Sequence, residues 1–237
     1  MSLTYSTWVT TLSNMTVILS SNPNFEQILS NCTDYYEQRL YRELDLLNTV
    51  TRQSGALIVS NRNFTLPSSN GQFVVTNGIN LITPATTTNP DLGTRTQLTP
   101  TSRDYLDNVG GSPTYTGLPT NYAMITDQTI VVGPAWPDAT YTLEVIGTIR
   151  PNPASQSNQN TYLLTYLPDL VIAASMVFMM GYQRDFGAQS DDPAAAQSWE
   201  AQYGKLFASA NVEEQRKRYA SGAWGSLSPT PIATPTR

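Results

Sequence analysis

The 237-residue chain contains no histidine and a single cysteine, which removes most reactive groupings before any fold is considered. Without histidine there is no Ser-His-Asp or Cys-His relay and no His-bearing metal site. Cys32 has no second cysteine to join in a disulfide or a thiolate cluster. It falls on the apolar stripe of a helix and reads as a small buried hydrophobe. No Walker A loop or Gly-x-Gly-x-x-Gly fingerprint is present, and Gly110-Gly111 reads as a turn. Two carboxylate pairs remain, Asp191-Asp192 and Glu213-Glu214. Glycosidases work with paired carboxylates. Here, however, Asp191-Asp192 precedes Pro193 as a helix cap, and Glu213-Glu214 sits beside cations on a helix surface. Both pairs are expected to be structural. The chain is expected not to be an enzyme, with no catalytic residue, cofactor or metal.

The remaining candidates are residues that bind. Arg216, Lys217 and Arg218 form the one dense positive run, in the last turns of a helix where cations complement the macrodipole. It reads either as a solvated helix end or as a contact for an acidic surface or DNA phosphates. Trp224, Leu227 and Ile232 are scattered through a tail containing Pro229, Pro231 and Pro235. Such a tail favours an extended, unpaired conformation with no core of its own, and tryptophan is a preferred interface anchor. Trp136 lies in Gly133-Pro-Ala-Trp-Pro-Asp, a loop that two prolines make rigid and unable to extend a ladder. It is the candidate for an exposed loop contact.

The elements that carry these residues change period along the chain. Tyr5, Trp8, Val9 and Leu12 recur at helical spacing within Thr4 to Leu19. Asn22-Pro23 caps a second helix, whose stripe runs through Phe25, Ile28, Leu29, Cys32, Tyr36, Leu40, Leu44 and Leu47. From Gly55 strands take over: Ala56 to Ser60, with Phe64 to Pro67 extending it, and Gln72 to Thr76 after a Ser69-Asn-Gly turn. A second turn is expected at Asn77-Gly-Ile-Asn, and a short helical turn capped by Thr101 or Ser102. Asn121 to Ile149 is the most β-like stretch; within it Tyr141, Leu143, Val145 and Gly147 face one side and Thr142, Glu144 and Ile146 the other. A polar linker, Pro151 to Gln159, leads to a third helix starting at Thr161 or Thr165, with Pro168 in its first turn. Trp199, Tyr203, Leu206, Phe207 and Ala210 mark a fourth, and beyond Ala210 the cluster from Glu213 to Arg218 is expected to need only water.

The fold class expected is α+β: an α-helical bundle of two N-terminal and two C-terminal helices, an inserted antiparallel β domain and an extended C-terminal arm. The boundaries are 1–52 with 161–220 for the bundle, 53–160 for the insert and 221–237 for the arm. Charged residues are only 13% of the chain, against about a quarter usually. A polar but weakly charged surface suits subunits that live against other subunits, where desolvating charge is costly; a secreted β-rich surface looks similar. The net charge of −5 argues against a nucleic-acid-binding chain as a whole. No signal peptide is read at the N-terminus. Leu170 to Gln183 is apolar but shorter than the roughly 20 residues needed to span a bilayer, so no membrane partner is expected.

In its order of pieces the chain resembles the head-to-tail adaptor (connector, or neck) proteins of tailed bacteriophages. The resemblance is carried by Phe25-Glu-Gln-Ile-Leu through Leu47, by Tyr141-Thr-Leu-Glu-Val with Pro151-Asn-Pro, by Thr161-Tyr-Leu-Leu-Thr-Tyr-Leu-Pro-Asp-Leu-Val-Ile-Ala-Ala, and by Ser198-Trp-Glu-Ala-Gln-Tyr through Leu206. It implies a virion protein of the neck, assembled in the host cytoplasm as a homo-oligomeric ring of about twelve copies beneath the portal protein. The helices would form the ring, and the insert would face outward or toward a tail or nozzle protein. The arm, with Trp224, Leu227 and Ile232 as anchors, would dock into the portal. DNA would pass through the channel without specific binding, repelled by an acidic wall. The insert is larger than in compact helical adaptors, which points to a short-tailed-phage type or one with extra tail or fibre contacts. The rival from another class is a carbohydrate-binding or adhesin-like module that stacks sugars on Trp136.

Overall fold

A computed structural model describes residues 2–183 and 193–221. It is α+β, and contacts divide the described chain into two compact units, 2–48 with 152–221 and 49–151. In chain order, α1 (Tyr5–Thr16) and α2 (Pro23–Glu43) come first. There follow β1 (Val50–Leu57), β2 (Asn63–Thr65), β3 (Gly71–Thr83), β4 (Thr94–Gln97), β5 (Thr99–Pro100) and α3 (Arg103–Val109). Next are β6 (Thr116–Gly117), β7 (Asn121–Thr126), β8 (Thr129–Gly133), β9 (Trp136–Pro137) and β10 (Tyr141–Pro151). The chain returns as α4 (Tyr162–Tyr166), α5 (Pro168–Gln183) and α6 (Pro193–Ser221).

In the helical unit, side chains next to α1, α2 and α4 supply the caps that their first amides need. Thr4 and Thr7 form a reciprocal capping box on α1, Asn22 accepts the Asn24 amide at the start of α2, and Thr161 accepts the Leu164 amide. One core then joins the faces. Trp8, Leu12, Cys32, Tyr36 and Leu40 are fully buried together with Leu163, Val171 and Ala174. The Trp8 and Tyr36 rings meet edge-on at 5.4 Å, and the Trp8 indole donates to Ser175 Oγ at 3.1 Å. Burial pushes the Cys32 thiol up to about 12, so it stays an un-ionised hydrophobe.

Polar side chains fasten the same unit at its edges. Arg39 of α2 forks onto Glu200 of α6 (2.8 and 2.5 Å) and lies 3.8 Å from the centre of the Tyr203 ring. Buried Glu37 accepts the amide of Ala154 at 2.8 Å, so residues 152–160 pack with the helices and the expected linker is anchored. The third helix expected from Thr161 is two helices. Pro168 has no amide to donate and starts α5, while Leu167 at its N-terminal side leaves helical geometry.

In the β unit the first strand, β1, begins at Val50. One sheet has the order β1-β10-β3-β4 and is antiparallel throughout. The other is β2-β8-β7-β5. The β5–β7 pair and the separate β6–β9 pair are parallel, so the insert is antiparallel only in its main ladders. Phe64 does not extend the first strand: β2 pairs with β8 in the second sheet. The turn expected at Asn77-Gly78 is absent, because β3 runs unbroken from Gly71 to Thr83. Against β10, Ile146 faces Gly78 and Gly147 faces Thr76, which leaves Asn77 as a bulge. Gly147 is needed there, since a Cβ on it would sit 2.1 Å from the Val75 carbonyl oxygen. Leu57, Phe73, Ile79, Leu81, Ile130, Val132, Leu143 and Val145 form the shared core of the two sheets.

Candidate functional site

The helical unit places one cluster of polar groups at the end of the chain's longest helix. On α6, Tyr203, Ala210, Glu214 and Lys217 follow one another at steps of seven, four and three, so Glu214 inherits the buried stripe. It is 2% exposed. Its carboxylate accepts the Leu47 amide at 3.1 Å, the Tyr162 hydroxyl at 3.2 Å and the Lys217 ammonium at 2.7 Å. Lys217 also donates to Tyr162 Oη at 3.0 Å and pairs with Glu213 at 2.8 Å. Burial alone would raise the Glu214 pKa, but Lys217 and the two other donors outweigh it and hold the group below its ordinary value. The expectation that Glu213 to Arg218 need only water is therefore corrected: Glu214 is a buried cross-link between α6, α4 and the end of the α2 segment.

The three consecutive cations leave the helix in different directions, since neighbouring helical positions point about 100° apart. Lys217 is committed to Glu213, Glu214 and Tyr162. Arg218 pairs with Asp45. Arg216 is exposed. Trp224, Leu227 and Ile232, like the capping pair Asp191 and Asp192, lie outside the described residues.

Trp136 belongs to a second constellation, in the β unit. Its backbone bridges β6, its amide donating to the Tyr115 carbonyl at 2.8 Å. The two prolines thus do not keep this segment out of pairing: Trp136 pairs with Thr116 and Pro137 with Gly117. The indole Nε1 donates to the Gly110 carbonyl at 2.8 Å, and Trp136 is half-buried instead of standing free as a stacking platform. The guanidinium of Arg62 lies 5.6 Å from its ring centre. Arg62 is 8% exposed; its Nε donates to the Val132 carbonyl at 3.0 Å, and its Nη1 is 3.4 Å from both Asp107 Oδ1 and the Gly110 carbonyl. Its Nη2 has no acceptor. Arg62, Trp136, Arg103, Asp107 and Ile125 line a cavity of about 210 Å³. Sequence reading picked out Trp136 and missed Arg62, which has only asparagines as neighbours and follows no period.

The first sheet carries a third group. Glu144 sits mid-strand on β10, fully buried, and accepts from Asn80 (3.0 Å) and Arg95 (2.9 and 3.2 Å), with Arg52 at 3.5 Å. Burial pushes its pKa up, but the donors prevail and the net shift is downward. A carboxylate in the middle of a strand was the available signal that cations from adjacent strands must converge on it.

These two carboxylates set the acid response. A glutamate whose folded pKa is depressed contributes stability that is complete above its unfolded value, 4.5, and is lost as pH falls through the folded value. Urea midpoints should therefore be level from pH 7 to about 5 and drop below about 4.5. Combining Glu144→Gln with Glu214→Gln should flatten that drop while lowering the plateau. A midpoint that rises on acidification would contradict the assignment.

Among the described residues no group of three acidic or cysteine side chains is placed to hold a metal, and no helix is long and apolar enough to cross a membrane. In comparisons with known proteins, a family model described as SU10 adaptor protein matches residues 11–229. No curated protein matches the chain.

Proposed function

The chain belongs to the SU10 adaptor protein family, and we propose from that membership that it forms a ring of about twelve copies joining the portal to the tail. As a phage adaptor it is a structural component of the virion at the head-to-tail junction. The observation that carries the proposal is the extent of the match, which runs from within α1 through both units and past the end of α6.

In this reading the helical unit makes the ring, and the β unit faces outward or toward a tail or nozzle protein. Residues 221–237 reach into the portal, with Trp224, Leu227 and Ile232 as anchors. Proline pre-extends such an arm and lowers the entropy lost on docking. Many arms on one ring multiply weak individual affinities. The net charge of −5 per chain gives the channel an acidic character that lets DNA slide past without being held.

The test is removal of residues 221–237. The truncated chain should keep its helical circular dichroism and lose co-sedimentation with portal rings, a loss of at least about 100-fold in apparent affinity. Attachment at the level of the intact chain would overturn the arm assignment. Light scattering of the intact chain with portal gives the copy number.

A further inference from the structure

We propose that the groove over Tyr162 and Tyr166 is a docking site for residues 229–235 of the same chain, held as a polyproline-type segment before the tail meets any partner. The groove lies within the helical unit and measures about 510 Å³. Leu47, Asn48, Tyr162, Tyr166, Glu213 and Lys217 line it. The two tyrosine rings are 4.9 Å apart and tilted by 36°. Tyr162 is fixed through its hydroxyl, which donates to Glu214 at 3.2 Å and accepts from Lys217 at 3.0 Å. Tyr166 is 66% exposed and takes no place in the helical core. Paired aromatic rings beside a polar rim are the kind of surface that receives proline-rich segments.

The occupant follows from spacing, charge and reach. A polyproline II helix has three residues per turn. Pro229, Ile232 and Pro235 recur at every third position, so in that conformation they share one apolar edge about 19 Å long. Thr230 and Ala233 fall on a different edge. Residues 219–236 carry no charge, so seating the segment beside Glu213, Glu214 and Lys217 strips no further ion of its water. α6 ends at Ser221, about 6 Å along the helix from Lys217. The eight residues from there to Pro229 span up to about 28 Å when extended, enough to turn back to the groove. A tether of that length gives the apolar edge an effective concentration in the millimolar range, so a weak contact is sufficient.

This contact concerns the chain alone, so it stands apart from the tail's assignment to the portal; where both hold, Ile232 leaves the tyrosines before it anchors there. To test it, Ala233→Cys is labelled with benzophenone maleimide in the intact chain, irradiated, and mapped by mass spectrometry. Cys32 does not compete for the label, since it is fully buried and its thiol is pushed up to about 12. Cross-links are expected at Tyr162, Tyr166 or Leu47, in a band of monomer mass on a denaturing gel. Ile232→Asn should lower their yield at least about threefold, and Thr230→Asn, on the other edge, should leave it unchanged. Tyr166→Ala, at an exposed position whose loss the fold tolerates, should lower it as much as Ile232→Asn does. Cross-links mapping elsewhere, equal yields in Ile232→Asn and Thr230→Asn, or full yield in Tyr166→Ala would overturn the proposal. So would the same sites linked only between two chains, which would give the groove to the tail of a second copy.

Discussion

Replacing Glu214 by alanine should destabilise the helical unit by about 3 kcal/mol. The side chain is almost completely buried, and its loss strands three donors: the Leu47 amide, the Tyr162 hydroxyl and part of the Lys217 ammonium. Lys217 keeps Glu213, which holds the cost below that of a fully enclosed pair. Glu214→Gln retains an acceptor of nearly the same shape and should cost about half as much. Urea unfolding measures the loss, and hydrogen exchange locates it, with the last turns of α6 losing protection first. A change within about 0.5 kcal/mol for the alanine variant would mean that the cluster is a solvated helix end after all. The position matters because α6 leads directly into the segment proposed to dock with the portal. A helix that frays there would cost each arm additional ordering on binding.

Trp8→Ala should be costlier, about 4 kcal/mol. Trp8 is fully buried, meets Tyr36 edge-on, and is the point at which α1 joins the rest of the helical core. Its truncation would leave a cavity that α2 and α5, each fixed by its own contacts, cannot fill. Trp8→Phe separates the two contributions: the ring contact survives, while the indole bond to Ser175 is lost. Ser175 Oγ still donates to the Val171 carbonyl at 2.7 Å, so this variant should lose only about 1–2 kcal/mol. The denaturation midpoint decides between these values, and a loss below about 1 kcal/mol for the alanine variant would remove Trp8 from its assigned place.

Much of this was legible because it is local. Asn22-Pro23 and Ser102 mark helix starts through bonds made within three residues, and the helical stripe from Phe25 to Leu40 is periodic enough to assign its own buried face. The α+β class follows from the change of period after the second helix. What failed depended on partners distant in sequence. Asn77-Gly78 has the chemistry of a turn, yet β10 on its other side turns the same residues into a bulge. Glu144 looked like one polar position in an alternating strand; Arg95 on β4 and Arg52 on β1 show why it can be buried. The partners of Lys217 and Arg218, Glu214 and Asp45, are set by the helix's rotation and by another segment. Arg62 gave no warning, since what singles it out is an unmet hydrogen-bonding need that only the packed neighbours define.

The ends of the β unit lie side by side, with Val50 on the strand that enters opposite Thr148 on the strand that leaves. The helical unit, by contrast, is written in two parts on either side of residues 49–151. During synthesis the apolar faces of α1 and α2 emerge long before α4, α5 and α6 exist to cover them. At about 5–20 residues per second the wait is on the order of 5–20 s. The intervening segment contains the ten strands of the described residues and its own core, so it can complete itself in that interval and bring residues 48 and 152 close together before the second half of the helical unit is made. In a protein built this way the middle can fold first, and the part proposed to form the ring becomes competent only after α6 has been made. Premature association of half-made subunits is thereby disfavoured by the order in which the chain is read.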